Sequence, residues 1–336
     1  MSWKVLITSA PMAKVGGPSA ALLQQAGCRI SQPSLALPAA GEELLRLLDG
    51  VDAVIAGNDH YSAEVLAASA AAGLKIISRW GVGFDAIDVR AATTEGIIVA
   101  YTPGMTDGAV ADLAFGLLLA VVRHIPQGHH SMREGLWLPQ WGNDMAGKTL
   151  GILGYGRIGA TVARRARGFD LRVIAYSPRP HPEAAAAGVE CVPLDDLLGQ
   201  SDYMTLHAAL TPQSRGLLGE AQFRRMKPTA FLVNTARGGL VDEAALLRAL
   251  SEGWIAGAAL DVFAEEPLPA RHPFRTAPNL VLSPHQGSSA FETGERVSRA
   301  AVQAVLELVA GRRPSLVLNT EVFDSPRLRA KIGQPA

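Results

Sequence analysis

One segment limits what this chain can fold into more than any other. Thr149-Leu150-Gly151-Ile152-Leu153 reads as a short buried strand, Gly154-Tyr155-Gly156-Arg157-Ile158-Gly159 follows it, and an Ala/Arg-rich helical stretch comes next. In a strand–turn–helix setting the first glycine permits a tight turn, the second lets backbone approach a pyrophosphate, and the third lets helix and strand pack closely. The start of the helix adds free N–H groups and the positive end of its dipole. Glycines so spaced also occur in ordinary turns. The flanking strand and helix, and a second strand ending at Tyr176, favour dinucleotide binding by Gly154, Tyr155, Gly156, Arg157, Ile158 and Gly159.

Similar strand and helix patterns alternate along the rest of the chain. Strands are expected at Val5 to Thr8, Ala53 to Ala56, Lys75 to Ser78, Arg172 to Ala175, Tyr203 to Leu206, Ala230 to Asn234 and Ile255 to Leu260. Helices are expected at Ala20 to Ala26, Ala63 to Ala71, Ala160 to Gly168 and Glu243 to Ser251. Such alternation implies α/β architecture with parallel sheets covered on both faces. A chain of 336 residues suits two domains. A Thr-Pro-Gly turn at Thr102 to Gly104 precedes a long helix beginning near Ala109, and Pro284 to Gly287 precedes a last helix, Glu295 to Ala310. These two junctions suggest one domain inserted into another: residues 1–102 and 288–336 bind substrate, and residues 103–287 bind the dinucleotide.

Composition excludes several classes. Thirty-one basic residues balance 31 acidic ones, which argues against a nucleic-acid surface. Cys28 and Cys191 match no metal or redox spacing and read as two buried or half-buried thiols; no metal is expected. The N-terminus reads as a strand, not a signal peptide, and Leu113 to Val122 is too short to span a bilayer. A soluble, cytoplasmic protein is the expectation. His129 and His130 are adjacent and cannot share a helical face, and Arg164-Arg165-Ala166-Arg167 reads as a solvated helix face.

Three further segments place polar residues directly after apolar runs. They are Val233-Asn234-Thr235-Ala236-Arg237-Gly238, Ala259-Leu260-Asp261 leading to Glu265-Glu266-Pro267, and Ser283-Pro284-His285. In an open parallel sheet that is the carboxyl edge, where ligands bind. Reducing a 2-oxo acid requires a cation for the carboxylate, and a planar guanidinium suits that task. It also requires a proton donor for the carbonyl oxygen, which a histidine stabilised by a carboxylate supplies. Arg237, His285 and Glu266 fill these roles, while a nicotinamide carries the hydride.

These segments resemble the D-isomer-specific 2-hydroxyacid dehydrogenase family, which includes glyoxylate/hydroxypyruvate reductases, phosphoglycerate dehydrogenases and D-lactate dehydrogenases. Arg79-Trp80-Gly81-Val82-Gly83-Phe84-Asp85, Ile97 to Gly104, the glycine turn, Leu206-His207, Met226-Lys227-Pro228 and Pro284-His285 carry the likeness, in order, over roughly residues 50 to 320. The resemblance implies two Rossmann-like domains, the cofactor domain inserted into a flavodoxin-like substrate domain, and a homodimer. It places the catalytic arginine at Arg237, prefers Glu266 over Glu265 as the residue before proline, and places the histidine at His285. It further implies that backbone amides around Val82 and Gly83 receive the substrate carboxylate, that Asp261 holds the nicotinamide carboxamide, and that His207, Thr235 and Ala236 contact cofactor. Family members commonly have proline where Ala209 stands, so a less rigid loop is expected there.

NADP(H) is expected as cofactor, with NAD(H) the alternative. An acid at the end of the second strand ordinarily binds the adenosine ribose 2′-hydroxyl. Tyr176-Ser177-Pro178-Arg179 offers no such acid; Ser177 can donate to a 2′-phosphate and Arg179 can pair with it. The competing reading makes Ser177 the start of a simple turn and Arg179 a solvent-facing residue. Other functions weigh less. A dinucleotide-sensing regulator is expected to carry an extension beyond the short tail from Asp324 to Ala336. Phosphite-oxidising relatives place lysine where Val82 stands, and a phosphoglycerate dehydrogenase would be a short form. The 2-oxo acid itself stays open, and Trp137 and Trp141 are core or interface residues or a cap on a partner's site.

Overall fold

The structure, a computed structural model, describes residues 2–34 and 38–333. The end of the C-terminal tail noted above, residues 334–336, lies outside the described residues. Two compact units are present: one runs to Thr106 and resumes at Ser288, and the other spans Asp107 to Gly287.

In the first unit, β1 (Lys4–Ile7), β2 (Arg29–Ser31), β3 (Ala53–Ala56), β4 (Ile76–Arg79) and β5 (Ile98–Ala100) form a parallel sheet in the order β2-β1-β3-β4-β5. This is the flavodoxin-like order. Every residue of β3 is buried, as expected of a central parallel strand covered on both faces. The helix Phe291–Val309 completes this unit from the far end of the chain. Val297, Ala301, Val305 and Leu308 recur on one helical face and are buried. Ser78 Oγ donates to Ala301 O (2.8 Å) and Trp80 Nε1 donates to Ser298 Oγ (2.9 Å), which fixes the helix across β4.

The second unit holds β6 (Thr149–Leu153), β7 (Arg172–Tyr176), β8 (Glu190–Cys191), β9 (Tyr203–Leu206), β10 (Phe231–Asn234), β11 (Gly257–Leu260) and β12 (Leu280–Leu282). They form a parallel sheet in the order β12-β11-β10-β9-β6-β7-β8. Counted from β6, this is the doubly wound dinucleotide-binding order with one added edge strand, and its direction reverses between β6 and β9. The helix Asp107–Val122 supplies Ala111, Ala114, Phe115, Leu118 and Val122 to the core on one face. Among the described residues no single helix is long and apolar enough to cross a membrane.

Several local expectations differ from the structure. β2, β5, β8 and β12 leave no mark in the sequence, because two or three residues are too few to display a period. The last helix starts at Phe291, not Glu295; its cap residue, Ala290, makes no side-chain bond that would mark the boundary. Cys191 is exposed, whereas Cys28 is buried. Arg165 is not simply solvated: its guanidinium pairs with Asp112 (2.6 Å) and donates to Gly108 O (3.2 Å).

Candidate active site

The carboxyl edge of the second sheet gathers almost every residue singled out from the sequence. Gly154 follows β6, Ser177 follows β7, His207 follows β9, Thr235 follows β10, Asp261 follows β11, and His285 lies just beyond β12. The glycine turn is sterically determined. Gly154 has φ +100°, and a Cβ there would lie 2.4 Å from Ala208 N. A Cβ on Gly159 would lie 2.3 Å from Gly154 O, whereas one on Gly156 would meet nothing within 4 Å. The outer glycines are thus needed for packing, and the middle one leaves open space beside the start of the helix Arg157–Ala166. Tyr155 is buried, Ile158 packs on the core, and Arg157 Nε pairs with Asp107 (2.9 Å).

Two buried polar atoms at this edge, His207 Nδ1 and Thr235 Oγ1, find no hydrogen-bond partner among the described residues. His207 Nε2 is 2.9 Å from Thr205 Oγ1. Burial pushes the His207 imidazole down to about 3, so it is neutral at working pH. Orphaned polar atoms inside a native fold are rare and point to a missing partner. An open glycine turn flanked by such atoms fits a nicotinamide dinucleotide.

Arg237 is placed by the bend that follows β10. The fully buried Asn234 accepts from Ala236 N (3.0 Å) and donates to Arg237 O (2.9 Å), folding Thr235 to Arg237 into a fixed bend. Arg237 Nη1 donates to Ala236 O (2.7 Å). Gly238 then allows contact with the loop that carries Glu266: a Cβ there would lie 1.9 Å from Phe263 C and 2.4 Å from Ala264 N.

Glu266 is held at both oxygens. Oε1 accepts from Phe263 N (2.9 Å), and Oε2 lies 2.5 Å from His285 Nδ1. Glu265 makes no such contact. A carboxylate can only accept, so Nδ1 carries hydrogen and Nε2 is the edge presented to a substrate. His285 itself is in the left-handed region (φ 48°), and its N–H donates to Asp261 O (2.8 Å). The side chain of Asp261, 1% exposed, holds the same loop: Oδ1 accepts from Ser283 Oγ (2.5 Å) and Gln286 N (2.9 Å), and Oδ2 from Gly287 N (2.8 Å). Burial pushes the Asp261 carboxyl up, and these donors together with His285 pull it back. Ser283 and Asn234 are therefore site residues that sequence reasoning missed. Each is an ordinary polar residue whose partner is visible only once strands pair.

Val82 and Gly83 belong to the other unit, in the loop after β4. Arg79 turns that loop's carbonyls inward, with Nε donating to Gly83 O (2.9 Å) and Nη1 to Trp80 O. Ser177 is half-buried and Arg179 exposed. Trp137 and Trp141 are 80% and 94% exposed, so neither is a core residue of its unit. Among the described residues no cluster of His, Cys, Asp or Glu could hold a metal ion.

Residues 115–287 match the family described as D-isomer specific 2-hydroxyacid dehydrogenase, NAD binding domain. The chain is 45% identical over 271 residues to a glyoxylate reductase of Korarchaeum cryptofilum, covering 79% of this chain and 81% of that one. It is 42% identical over 295 residues to a glyoxylate reductase of Thermofilum pendens, covering 85% and 86%. Among solved structures, a glyoxylate reductase from Paecilomyes thermophila superposes with a TM-score of 0.84 at 30% identity, covering 95% of this chain and 99% of that one.

Proposed function

The chain belongs to the D-isomer-specific 2-hydroxyacid dehydrogenase family, and from that premise we propose that it reduces glyoxylate or hydroxypyruvate with NADPH preferred. That it is an NAD(P)-dependent 2-hydroxyacid dehydrogenase follows from the family and from relatives named as glyoxylate reductases. The observation that carries the chemistry is the fixed pair of His285 and Glu266, set against the Arg237 loop through Gly238. Nicotinamide supplies the hydride when bound. Arg237 clamps the substrate carboxylate, and the family resemblance gives the backbone amides around Val82 and Gly83 a share in receiving it. His285 Nε2 gives its proton to the carbonyl oxygen, and Glu266 stabilises the imidazolium. Asp261 keeps the histidine loop in place and holds the carboxamide, with His207, Thr235 and Ala236 lining the same cofactor edge. Turnover of a panel from glyoxylate and hydroxypyruvate to phenylpyruvate, with both reduced cofactors, tests the assignment. No turnover of any 2-oxo acid would remove it.

Arg237→Lys is expected to raise KM for the 2-oxo acid strongly and also to slow kcat, because an ammonium cannot reproduce a two-pronged contact. Steady-state kinetics with the preferred substrate check this. A lysine variant indistinguishable from the parent would mean that Arg237 is not the clamp.

The NADPH preference rests on the half-buried Ser177 and exposed Arg179, with no carboxylate at the end of β7. The ratio of kcat/KM for NADPH over NADH is expected to be at least about tenfold, or about 1.4 kcal/mol. Ser177→Asp combined with Arg179→Ala should abolish it. A parent that favours NADH would overturn the preference. We also place the protein in the cytoplasm as a homodimer. Exposed Leu136, Trp137, Leu138 and Trp141 form the kind of apolar surface that association covers, and the molar mass in solution tests it.

A further inference from the structure

The segment that follows β11 is held by a second glutamate besides Glu266. Glu243 opens the helix Glu243–Ser251, yet its carboxylate does not cap that helix. The cap is Asp242, whose Oδ1 accepts from Ala245 N (3.0 Å). Glu243 turns instead to a segment 21 residues onward, where its Oε1 accepts from Ala264 N (2.8 Å). Two consecutive amides are thus taken by two carboxylates, Phe263 N by Glu266 (2.9 Å) and Ala264 N by Glu243. The other oxygen of Glu243 is committed too. Oε2 lies 3.4 Å from His272 Nε2, with 19% of the histidine side chain and 20% of the glutamate exposed. His272 Nδ1 accepts from Phe274 N (3.3 Å), and its ring packs on that of the buried Phe274 with centroids 4.7 Å apart. An imidazole nitrogen that accepts leaves the hydrogen on the other, so Nε2–H faces the carboxylate.

We propose that Glu243 is a positioning residue for the reduction, oriented by His272 and acting through Glu266. The inference rests on the roles proposed above for His285 and Glu266. From Asp261 to His272 the chain is irregular, so side-chain bonds set its course. Glu266 keeps Oε2 2.5 Å from His285 Nδ1 only while Phe263 N stays where Oε1 reaches it. Ala264 N is the next amide along, so a bond that holds it limits how far Phe263 N can turn. Gly238 lets this backbone pack against the Arg237 bend, but contact only limits approach. The bond to Glu243 keeps the segment from moving away, and a charged acceptor makes that bond a strong one.

The test is a kinetic cycle over Glu243→Ala, Glu266→Ala and the double variant, with glyoxylate and hydroxypyruvate, both reduced cofactors, and thermal unfolding of each protein. Glu243→Ala is expected to lower kcat about tenfold with KM for the 2-oxo acid changed less than about twofold. The Arg237 bend keeps its own anchors on Asn234, so substrate binding is spared. In the Glu266→Ala background the same change should cost less than about twofold, since no carboxylate is left to position. Glu243→Gln keeps an oxygen for Ala264 N and should stay within about threefold of the parent. Where Glu243→Ala does not fold, Glu243→Asp carries the same cycle, because it keeps a carboxylate in the first turn of the helix and shortens its reach. An equal loss that persists in the Glu266→Ala background, or a rise in KM that matches the fall in kcat, would overturn the role of Glu243 and leave the reading above standing. Parental kcat in Glu243→Ala would do the same. A parent that turns over neither acid would remove that reading, and this inference with it.

Discussion

Replacing His285 with Ala is expected to lower turnover of the 2-oxo acid by about two to four orders of magnitude while dinucleotide binding persists. Only the proton donor is lost. The glycine turn, His207 and Thr235 lie on neighbouring strand ends, and none of their contacts runs through the His285 ring. Asp261 would still hold Ser283, Gln286 and Gly287, so the loop keeps its anchors. Glu266→Gln should be milder, because the ring keeps a neighbour of the same shape and loses only the charge of the acceptor 2.5 Å from Nδ1. Turnover in all three proteins, with cofactor binding measured separately, checks both statements. Near-parental turnover by His285→Ala at neutral pH would end the proposed proton transfer.

The residues legible in the sequence share one property: their neighbours in the chain announce them. Gly154, Gly156 and Gly159 are read from spacing, and Arg237, Asp261 and His285 from their positions just past apolar runs. In a parallel sheet a strand's end is always the ligand-facing edge, so local order alone places such residues. What stayed hidden depends on pairing across the chain. Ser283 meets Asp261 from 22 residues away, and Gly287 meets it from 26. Nothing in a Ser-Pro or Gln-Gly dipeptide signals an aspartate so distant. The contact of His181 with Tyr155 is hidden for the same reason, since it forms only when β7 lies beside β6. Arg165 looks solvated in the sequence because its partner Asp112 lies 53 residues away. The short edge strands β8 and β12 are hidden on different grounds. Their register is supplied by β7 and β11, not by any pattern of their own.

Gly238→Ala is expected to cost activity out of proportion to its size. Its Cβ would lie 1.9 Å from Phe263 C, 2.2 Å from Phe263 O and 2.4 Å from Ala264 N. All three are backbone atoms, so no side-chain rotation relieves the clash. Either the bend built on Asn234 or the segment leading to Glu266 must move. The first carries Arg237 and the second carries the partner of His285. A displacement of about 1 Å in a reacting constellation costs on the order of a hundredfold in rate. Overpacking of this kind destabilises by about 1–3 kcal/mol, which leaves a folded protein with a melting point a few degrees lower. The neighbouring glycine is the control. A Cβ on Gly239 would lie 3.1 Å from Leu210 Cδ2, 3.2 Å from Leu210 Cδ1 and 3.3 Å from Arg215 Nη1, all ends of flexible side chains. Gly239→Ala should therefore keep activity within about a few-fold of the parent, because side-chain ends can yield by a few tenths of an ångström. The pair of variants, compared by kcat and by thermal unfolding, isolates backbone contact from general crowding at the turn. Full activity in Gly238→Ala would mean that the Arg237 and Glu266 loops are not mechanically coupled through this contact.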